Sequence, residues 1–310
     1  MKEIKKTLMT EYNFNDYLAT KLSEQLNDEA LRLAESDLKP VPKAIRVNSL
    51  KKGAKETISR LTKKGFSFKK IDYLKWGFQV VKEPISPTLG STNEYLFGYY
   101  FIQSPISMLI VESLDPQPSE IILDIAAGVG GKTTYISQLM MNKGVVVAVE
   151  PKRDRVFALR SNISRMGCEN VIVLQMDGRN VLKLNILFDK VLLDAPCTGS
   201  GLFSKYPELK TRITEADVIE LQNLQKQLFE VAFRVLKRGG TLVYSTCSVL
   251  KEEGEDVVSH GIKLGAHIKP IDSSNQIIQN SESPWLKGAL RFFHHKQGTE
   301  GFFVCRVEKT

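Results

Sequence analysis

The sequence lacks several features that would assign it to particular classes of protein. No apolar run approaches the roughly 18 residues that a membrane-spanning helix needs. The first ten residues carry lysines but no apolar core, so they are not predicted to be a signal peptide. Internal repeats and low-complexity segments are missing too. With 42% hydrophobic and 25% charged residues, these absences predict a soluble globular protein, expected in the cytoplasm and as a monomer.

Cysteine and histidine are also scarce, with four residues of each. The cysteines, at positions 168, 197, 247 and 305, include no CxxC pair, which argues against a zinc site and a disulfide framework. The histidines, at positions 260, 267, 294 and 295, show no spacing typical of metal ligands. We therefore expect a reducing compartment and no bound metal.

Positive charge, in contrast, is concentrated in one block. Residues 39–75 carry twelve Lys or Arg against only Glu56 and Asp72, a local excess of +10. Such a block is often only a solvated surface, but here aromatic residues are interleaved with it: Phe66, Phe68, Tyr73 and Trp76. Cations beside stackable rings suit the phosphates and bases of a nucleic acid. A membrane surface is disfavoured because the block contains no strongly amphipathic basic helix.

Periodicity and composition divide the chain into two predicted domains. Residues 12–38 have leucines at helical spacing, and short strand and helix patterns follow up to about residue 81. Residues 82–104 are rich in Pro, Gly and Ser and form the expected junction. We place a small α+β domain at 1–95 and a larger domain at 96–310.

The larger domain alternates strand and helix patterns, which predicts βαβ units and a doubly wound parallel sheet between two helical layers. The predicted strands include 120–125, 145–150, 171–175 and 187–193. A long helix is predicted over 215–237, closed by the sequence KRGG at 237–240, and a strand follows at 241–246.

Two cysteines stand just beyond apolar runs typical of strands. The run at 187–194 leads to Cys197, and the run at 240–246 leads to Cys247. In an open α/β sheet, ligands bind beyond the carboxyl ends of the strands. The two thiols can therefore meet in one pocket although fifty residues separate them. Either could be a small buried hydrophobe, whereas a thiolate with a lowered pKa would be a strong nucleophile.

A glycine-rich turn follows the first strand of the larger domain and opens a helix. Small residues let a ligand approach the backbone, and the helix N-terminus favours negative charge. A P-loop needs glycine where Ala126 stands, and a dinucleotide fingerprint needs glycine where Thr133 stands, so neither template is complete. The candidate cofactor-binding residues of this segment are Asp124, Ala126, Ala127, Gly128, Val129, Gly130, Gly131 and Lys132.

Acidic residues at successive strand ends favour a nucleoside cofactor that has no phosphates. Asp124 ends the first strand, Glu150 ends the second and is placed to bind ribose hydroxyls, and Asp177 follows the third, where it could meet an adenine amino group. Each alone could be a loop cap or a surface ion pair. Together they describe S-adenosylmethionine, whose sulfonium is cationic. Arg155, one turn into the helix after Glu150, is a candidate contact for the cofactor or for RNA.

With these residues the chain resembles the Fmu/Sun family of S-adenosylmethionine-dependent RNA cytosine-5 methyltransferases, which act on tRNA or rRNA. The resemblance covers essentially the whole chain. Ala126 and Val129 depart from it, because the family usually has cysteine and proline there, and the missing proline removes a rigid turn. The matching segments are RVNSLK at 46–51, YYFIQ at 99–103, DIAAGVGGKT at 124–133, DAPC at 194–197, YPELK at 206–210, YSTCS at 244–248 and GFF at 301–303.

The resemblance implies a Rossmann-like class I methyltransferase with a mostly parallel seven-stranded sheet and an N-terminal RNA-binding domain. It implies that Cys247 is the nucleophile that adds to carbon 6 of cytosine, and that Cys197 assists the release of the product. Asp194 would hold the N3/N4 edge of the ring and contribute to the cofactor site. Lys132 could lower the pKa of a nearby thiol, or else form a phosphate contact or a helix-end ion pair.

Three other functions are less consistent with the sequence. Exocyclic amine methyltransferases carry an acidic residue or Asn followed by Pro-Pro-aromatic at the fourth strand, which Ala195-Pro196-Cys197 does not match. A catalytically silent RNA-binding protein would not need to retain both Cys197 and Cys247. A P-loop NTPase is disfavoured by Ala126.

Overall fold

The computed structural model describes residues 1–271 and 275–310. Its helices are α1 Lys2–Thr10, α2 Asp16–Leu26, α3 Glu29–Ser36, α4 Ala54–Thr62, α5 Asn93–Leu96, α6 Pro105–Leu114, α7 Gly131–Leu139, α8 Arg153–Met166, α9 Leu209–Arg212, α10 Glu215–Arg234, α11 Glu255–Lys263, α12 Gln276–Gln279 and α13 His294–Gln297. Its strands are β1 Ala44–Val47, β2 Ser67–Lys70, β3 Gly77–Lys82, β4 Tyr100–Ile102, β5 Ile121–Asp124, β6 Val145–Val149, β7 Val171–Leu174, β8 Phe188–Asp194, β9 Leu236–Thr246, β10 Ala266–Ile268, β11 Leu290–Phe292 and β12 Phe302–Lys309.

The chain folds into two compact units, each built from separate stretches of sequence. The first unit comprises residues 1–41, 195–230 and 244–307, and the second comprises 42–194, 231–243 and 308–310. Within each unit the residues contact one another more than they contact the other unit. The ranges of the two units differ from those of the two predicted domains, 1–95 and 96–310. The boundary at residues 95 and 96 therefore stays a prediction.

The second unit contains the parallel strands that were predicted from the βαβ pattern. β5 pairs in parallel with β6 and with β8, and β6 pairs in parallel with β7. The strand order here is β9-β8-β5-β6-β7. β5 and β6 are buried almost throughout, as expected for parallel strands that are covered on both faces. This arrangement aligns the carboxyl ends of β5, β6 and β8, from which the predicted site residues follow.

The second unit also contains a small antiparallel sheet with the order β2-β3-β1-β4. Its strands and α4 enclose a core that includes Ile45, Leu61, Phe66 and Tyr100. Because β4 pairs with β1, this sheet extends to Ile102.

In the first unit, helices α1 to α3 pack with residues from much later in the chain. Their leucines and alanines share a core with Phe203, Ile213, Val249 and Phe293. The strand order in this unit is β10-β12-β9, and β11 pairs antiparallel with β12. β9 and β12 each have residues in both units. Among the described residues, β10 and β11 are strands that the sequence analysis did not assign.

Two predicted elements differ from the structure. The predicted helix over 12–38 is two helices, α2 and α3, which are separated at Asn27, where φ is +50°. The predicted helix end at 237–240 is wrong, because α10 ends at Arg234 and β9 begins at Leu236. Gly240 lies in that strand, where a Cβ would come within 2.8 Å of the Asp189 carbonyl oxygen. Glycine is thus required at position 240 because the neighbouring strand approaches closely there, and Gly240 does not cap a helix.

Among the described residues, no helix is both long enough and apolar enough to cross a membrane.

Candidate active site

The glycine-rich turn joins β5 to α7 in the second unit. Gly128 and Gly130 have φ angles of +57° and +89°, which glycine adopts without the strain that a side chain would bring. A Cβ on Gly130 would lie 2.6 Å from Leu159 Cδ1, so packing also requires glycine there. A Cβ on Gly128 would meet no described atom within 4 Å. The turn therefore leaves room for a ligand beside the backbone of Gly128.

Asp124 ends β5 with a carboxyl group that is almost completely buried. Its Oδ2 accepts a 2.6 Å hydrogen bond from Thr133 Oγ1, whereas its Oδ1 has no partner among the described residues. Burial raises the pKa of Asp124 to about 6, although the Thr133 hydrogen bond acts in the opposite direction. Buried polar atoms normally have partners, so this oxygen is a candidate acceptor for a hydrogen-bond donor on a bound molecule.

Glu150 immediately follows β6 and is also buried, with 2% of its surface exposed. Its Oε2 accepts a hydrogen bond from the Gly128 amide at 3.0 Å, and its Oε1 accepts one from the Lys152 amide at 2.8 Å. Glu150 therefore braces the glycine turn. A carboxylate can accept further hydrogen bonds, so the predicted contact with ribose hydroxyls is compatible with these two.

Lys132 and Asp194 lie together in the second unit. Lys132 Nζ is 2.7 Å from Asp194 Oδ2, and both side chains are partly exposed, by 13% and 29%. The structure thus joins a residue of the glycine turn to the carboxylate at the end of β8. This contact is an ion pair near the start of α7, and an effect of Lys132 on the pKa of a thiol stays a prediction.

The remaining predicted cofactor residues lie around the same turn. The Ala127 amide donates to the Val149 carbonyl at 2.9 Å, which ties the turn to β6, and Val129 is 48% exposed. Asp177 lies three residues beyond β7 and pairs with Arg179 at 2.6 Å, which lowers the pKa of Asp177. Arg155 is exposed near the start of α8. The contacts predicted for Asp177 and Arg155 stay predictions.

Cys197 and Cys247 lie side by side in the first unit, as the strand-end argument predicted. Their sulfur atoms are 2.9 Å apart, and neither cysteine is in a disulfide. The backbone holds them there, because the Ala195 amide donates to the Ser245 carbonyl at 2.8 Å and the Gly201 amide donates to the Cys247 carbonyl at 2.9 Å. The segment 195–201, which carries Cys197, is therefore hydrogen-bonded at both of its ends to the segment 245–247, which carries Cys247.

The environment of Cys197 favours its protonated form. Its hydrogen bond with Cys247 and its burial raise the pKa of the thiol well above the ordinary value, and the negative charges of Cys247 and Glu253 act in the same direction. A thiol that remains protonated can donate its S–H to a neighbouring sulfur. Either sulfur can be the donor in the 2.9 Å contact, so the assignment of Cys247 as the nucleophile stays a prediction from the resemblance.

Sequence reasoning missed the buried charges that support the thiol pair. Glu253 is fully buried and accepts hydrogen bonds from the Thr198 amide and hydroxyl. Arg291, also buried, pairs with Glu255 and donates to the carbonyl of Ser248, the residue after Cys247. The sequence does show acidic residues shortly after Cys247. Nothing in their spacing, however, distinguishes the buried Glu253 and Glu255 from their more exposed neighbours.

The structure limits which residues of the basic block could contact a nucleic acid. Arg46 is completely buried, and Phe66 belongs to the core of the small sheet, so neither is accessible to RNA. Phe68, Tyr73 and Trp76 are partly exposed. Nine basic residues of the block are exposed: Lys39, Lys43, Lys51, Lys55, Arg60, Lys63, Lys69, Lys70 and Lys75.

Within residues 1–271 and 275–310, no cluster of three or more His, Cys, Asp or Glu side chains is placed to hold a metal ion.

Comparison with known protein families matches nearly the whole chain. Residues 111–308 match the family model described as 16S rRNA methyltransferase RsmB/F. Residues 14–105 match the model described as the N-terminal domain of 16S rRNA methyltransferase RsmF.

Individual relatives point in the same direction. A 28S rRNA (cytosine-C(5))-methyltransferase of Mus musculus is 36% identical over 322 residues, which cover 100% of this chain and 40% of that protein. The chain spans less than two thirds of the length of such curated relatives, between 39% and 62%.

Two solved structures from Pyrococcus horikoshii are similar over most of the chain. A methyltransferase homolog protein is 36% identical, with a TM-score of 0.88 and 100% of both chains covered. NSun6, solved with SFG, is 26% identical, with a TM-score of 0.85, and the match covers 93% of this chain and 96% of that one. The Rossmann-like methyltransferase fold is thereby confirmed.

Proposed function

The chain belongs to the RsmB/F (Fmu/Sun) family of RNA cytosine-C5 methyltransferases, and from this premise we propose that it methylates carbon 5 of a cytosine in ribosomal RNA. The observation that carries the proposal is the contact between Cys197 and Cys247 at 2.9 Å. A cytosine-5 reaction needs a nucleophilic thiol and a second group that handles protons near it. The relatives' names favour rRNA over tRNA as the substrate class.

The second unit fits S-adenosylmethionine as the methyl donor. Asp124 Oδ1 offers a buried acceptor without a partner among the described residues, Glu150 holds the turn through the Gly128 amide, and Gly128 leaves space beside the backbone. NSun6, whose structure holds the S-adenosylmethionine analogue SFG, supports the same cofactor. When bound, S-adenosylmethionine would supply an electrophilic methyl group, and the electron pair of its S–CH3 bond would remain on the sulfur of S-adenosylhomocysteine.

Cys247 begins the reaction on the base. As a thiolate it forms a bond from Sγ to carbon 6 of cytosine, and the electron pair of the 5,6 double bond becomes available at carbon 5. Asp194 holds the N3/N4 edge of the ring, where N3 takes up a proton from solvent as the thiolate adds and returns it to solvent when the thiolate leaves. Lys132, 2.7 Å from Asp194, keeps that carboxylate oriented and contributes positive charge.

Release of the product reverses the addition. After carbon 5 has gained its methyl group, a base removes the carbon-5 proton and the bond from Sγ to carbon 6 breaks. Its electron pair returns to the leaving thiolate, while the pair from the C–H bond restores the 5,6 double bond. Cys197 assists this step, because its S–H lies next to Cys247 Sγ and can protonate the departing sulfur.

The exposed cations of residues 39–75 would contact the RNA backbone. A target base within a helix is shielded, so the enzyme takes it from a loop or flips it out of the stack. The partly exposed Tyr73 and Trp76 offer rings for neighbouring bases. Arg46 and Phe66 have no part in this surface.

The experiment is methyl transfer from labelled S-adenosylmethionine to deproteinised small- and large-subunit rRNA and to bulk tRNA. We expect labelled 5-methylcytosine in rRNA with the wild-type chain and none with Cys247→Ala. Cys168→Ala, which changes a buried cysteine outside the pair, is the control and should retain activity. Wild-type turnover by Cys247→Ala would overturn the mechanism, and label in tRNA alone would overturn the substrate class.

A further inference from the structure

A buried carboxylate lies behind the thiol pair, and no sequence pattern predicted a role for it. We propose that Glu253 is a positioning residue that holds the segment Pro196–Thr198, so that Cys197 Sγ stays beside Cys247 Sγ during release of the product. This inference rests on the proposed function, which assigns that step to Cys197.

The side chain of Glu253 fixes both neighbours of Cys197. Its Oε1 accepts from the Thr198 amide at 2.9 Å, and its Oε2 accepts from the Thr198 hydroxyl at 2.5 Å. Its Oε1 also accepts from Gln225 Nε2 at 3.0 Å, and the same nitrogen donates to the Pro196 carbonyl at 2.9 Å. The residue before Cys197 and the residue after it are thus both tied to one carboxylate.

The main chain of Glu253 is tied to the strand that carries the other thiol. The Tyr244 hydroxyl donates to the Glu253 carbonyl at 2.7 Å. Tyr244 is completely buried in β9, three residues before Cys247. A single residue therefore connects the segment of Cys197 to the strand of Cys247, and its displacement would change the separation of the two sulfur atoms.

A buried carboxylate is costly unless all its neighbours are donors. Here the Thr198 amide, the Thr198 hydroxyl and the Gln225 amide nitrogen all donate to it. An apolar side chain would satisfy packing without this cost. The retained charge also has an electrostatic effect on the pair, because it adds to the burial and the Cys247 hydrogen bond that raise the pKa of Cys197.

Glu252, the preceding residue, provides a matched control. Its carboxylate pairs with Lys21 at 2.9 Å and accepts from Gln25 Nε2 at 2.8 Å. It thus has the same chemistry and the same short turn, Lys251–Glu253, but other partners. A general effect of removing a carboxylate from this turn would appear in both variants.

The test compares Glu253→Gln with Glu252→Gln in the full chain. Glutamine at 253 keeps only Oε1 as an acceptor and loses the negative charge, so the Thr198 hydroxyl would have to reverse its hydrogen bond and accept from the new amide nitrogen. We expect Glu253→Gln to form the covalent bond between Cys247 and RNA, but to release it about tenfold more slowly. Adduct should then accumulate on denaturing gels, and kcat and KM for RNA should fall together while kcat/KM stays near the wild-type value. Glu252→Gln should show neither change.

Wild-type kcat and adduct level in a folded Glu253→Gln variant would overturn the positioning role. If that variant does not fold, Thr198→Val decides, because it removes only the hydroxyl that donates to Oε2. Adduct above the wild-type level then supports the role, and a wild-type level overturns it. Failure of the proposed function looks different, since the wild-type chain itself would then form no adduct and transfer no methyl group.

Discussion

Arg46 donates a hydrogen bond of 2.6 Å to the carbonyl oxygen of Gly131, the first residue of α7. The same guanidinium donates to Gln103 Oε1 at 2.7 Å and to Thr134 Oγ1 at 2.9 Å, and it lies over the ring of Tyr135. Burial lowers the pKa of Arg46 to about 10, so it remains charged at neutral pH. The small antiparallel sheet is thereby attached to the helix that follows the glycine turn.

Arg46→Lys should destabilise the fold and weaken cofactor binding. A lysine ammonium cannot reproduce the planar fork that serves three acceptors, and breaking a buried charged network costs about 3 kcal/mol. Urea denaturation and calorimetric titration with S-adenosylmethionine measure the two effects. Arg60→Lys is the control, because Arg60 is an exposed partner of Glu56 on α4 and should change stability by less than about 1 kcal/mol. Equal effects of both substitutions would contradict this assignment.

Asp124 should make cofactor affinity depend on pH. Its pKa is raised to about 6, and only the ionised form offers both oxygens as acceptors. We therefore expect the affinity for S-adenosylmethionine to fall as the pH drops through about 6. Asp124→Asn, measured by the same titration between pH 5 and 8, should bind more weakly at pH 8 and lose this dependence.

The same group has an opposite effect on stability. Because the folded pKa lies above the unfolded value, the folded state binds more protons between about pH 4 and 6, and stability falls as the pH rises through that window. The amide side chain that Asp124→Asn introduces cannot ionise, so the free energy of unfolding of this variant should lack this fall. A wild-type pH profile in the variant would show that Asp124 is not the group responsible.

Variants of the two cysteines should fail at different steps. Cys247→Ala should form no bond to RNA. Cys197→Ala should still attack and transfer methyl, and then stall as a covalent protein–RNA adduct, because the thiol that protonates the departing sulfur is missing. Denaturing electrophoresis with labelled RNA detects the adduct, which should require both Cys247 and the methyl donor. An adduct in the Cys247 variant alone would reverse the two roles.

Much of the site could be predicted because it depends on local pattern and on one rule of topology. Alternating strand and helix periodicity predicted the parallel sheet, and ligands bind at the carboxyl ends of such strands. That was sufficient to bring Cys197 and Cys247 together and to place Asp124 and Glu150 around the glycine turn. The boundary between α10 and β9 was not predictable, because its glycines resemble a helix cap until the neighbouring strand is known.

The sequence by itself indicated the family, the approximate ends of the parallel strands, and which two of the four cysteines lie together. Each of these depends on short contiguous segments. Only the tertiary structure decided that Glu253 holds the Cys197 segment and that Arg46, in the most basic part of the chain, is buried and unavailable to the proposed RNA contact. The physical reason is that a buried charge needs specific partners. Gln225, Thr198 and Gly131 become those partners only when distant segments are packed together.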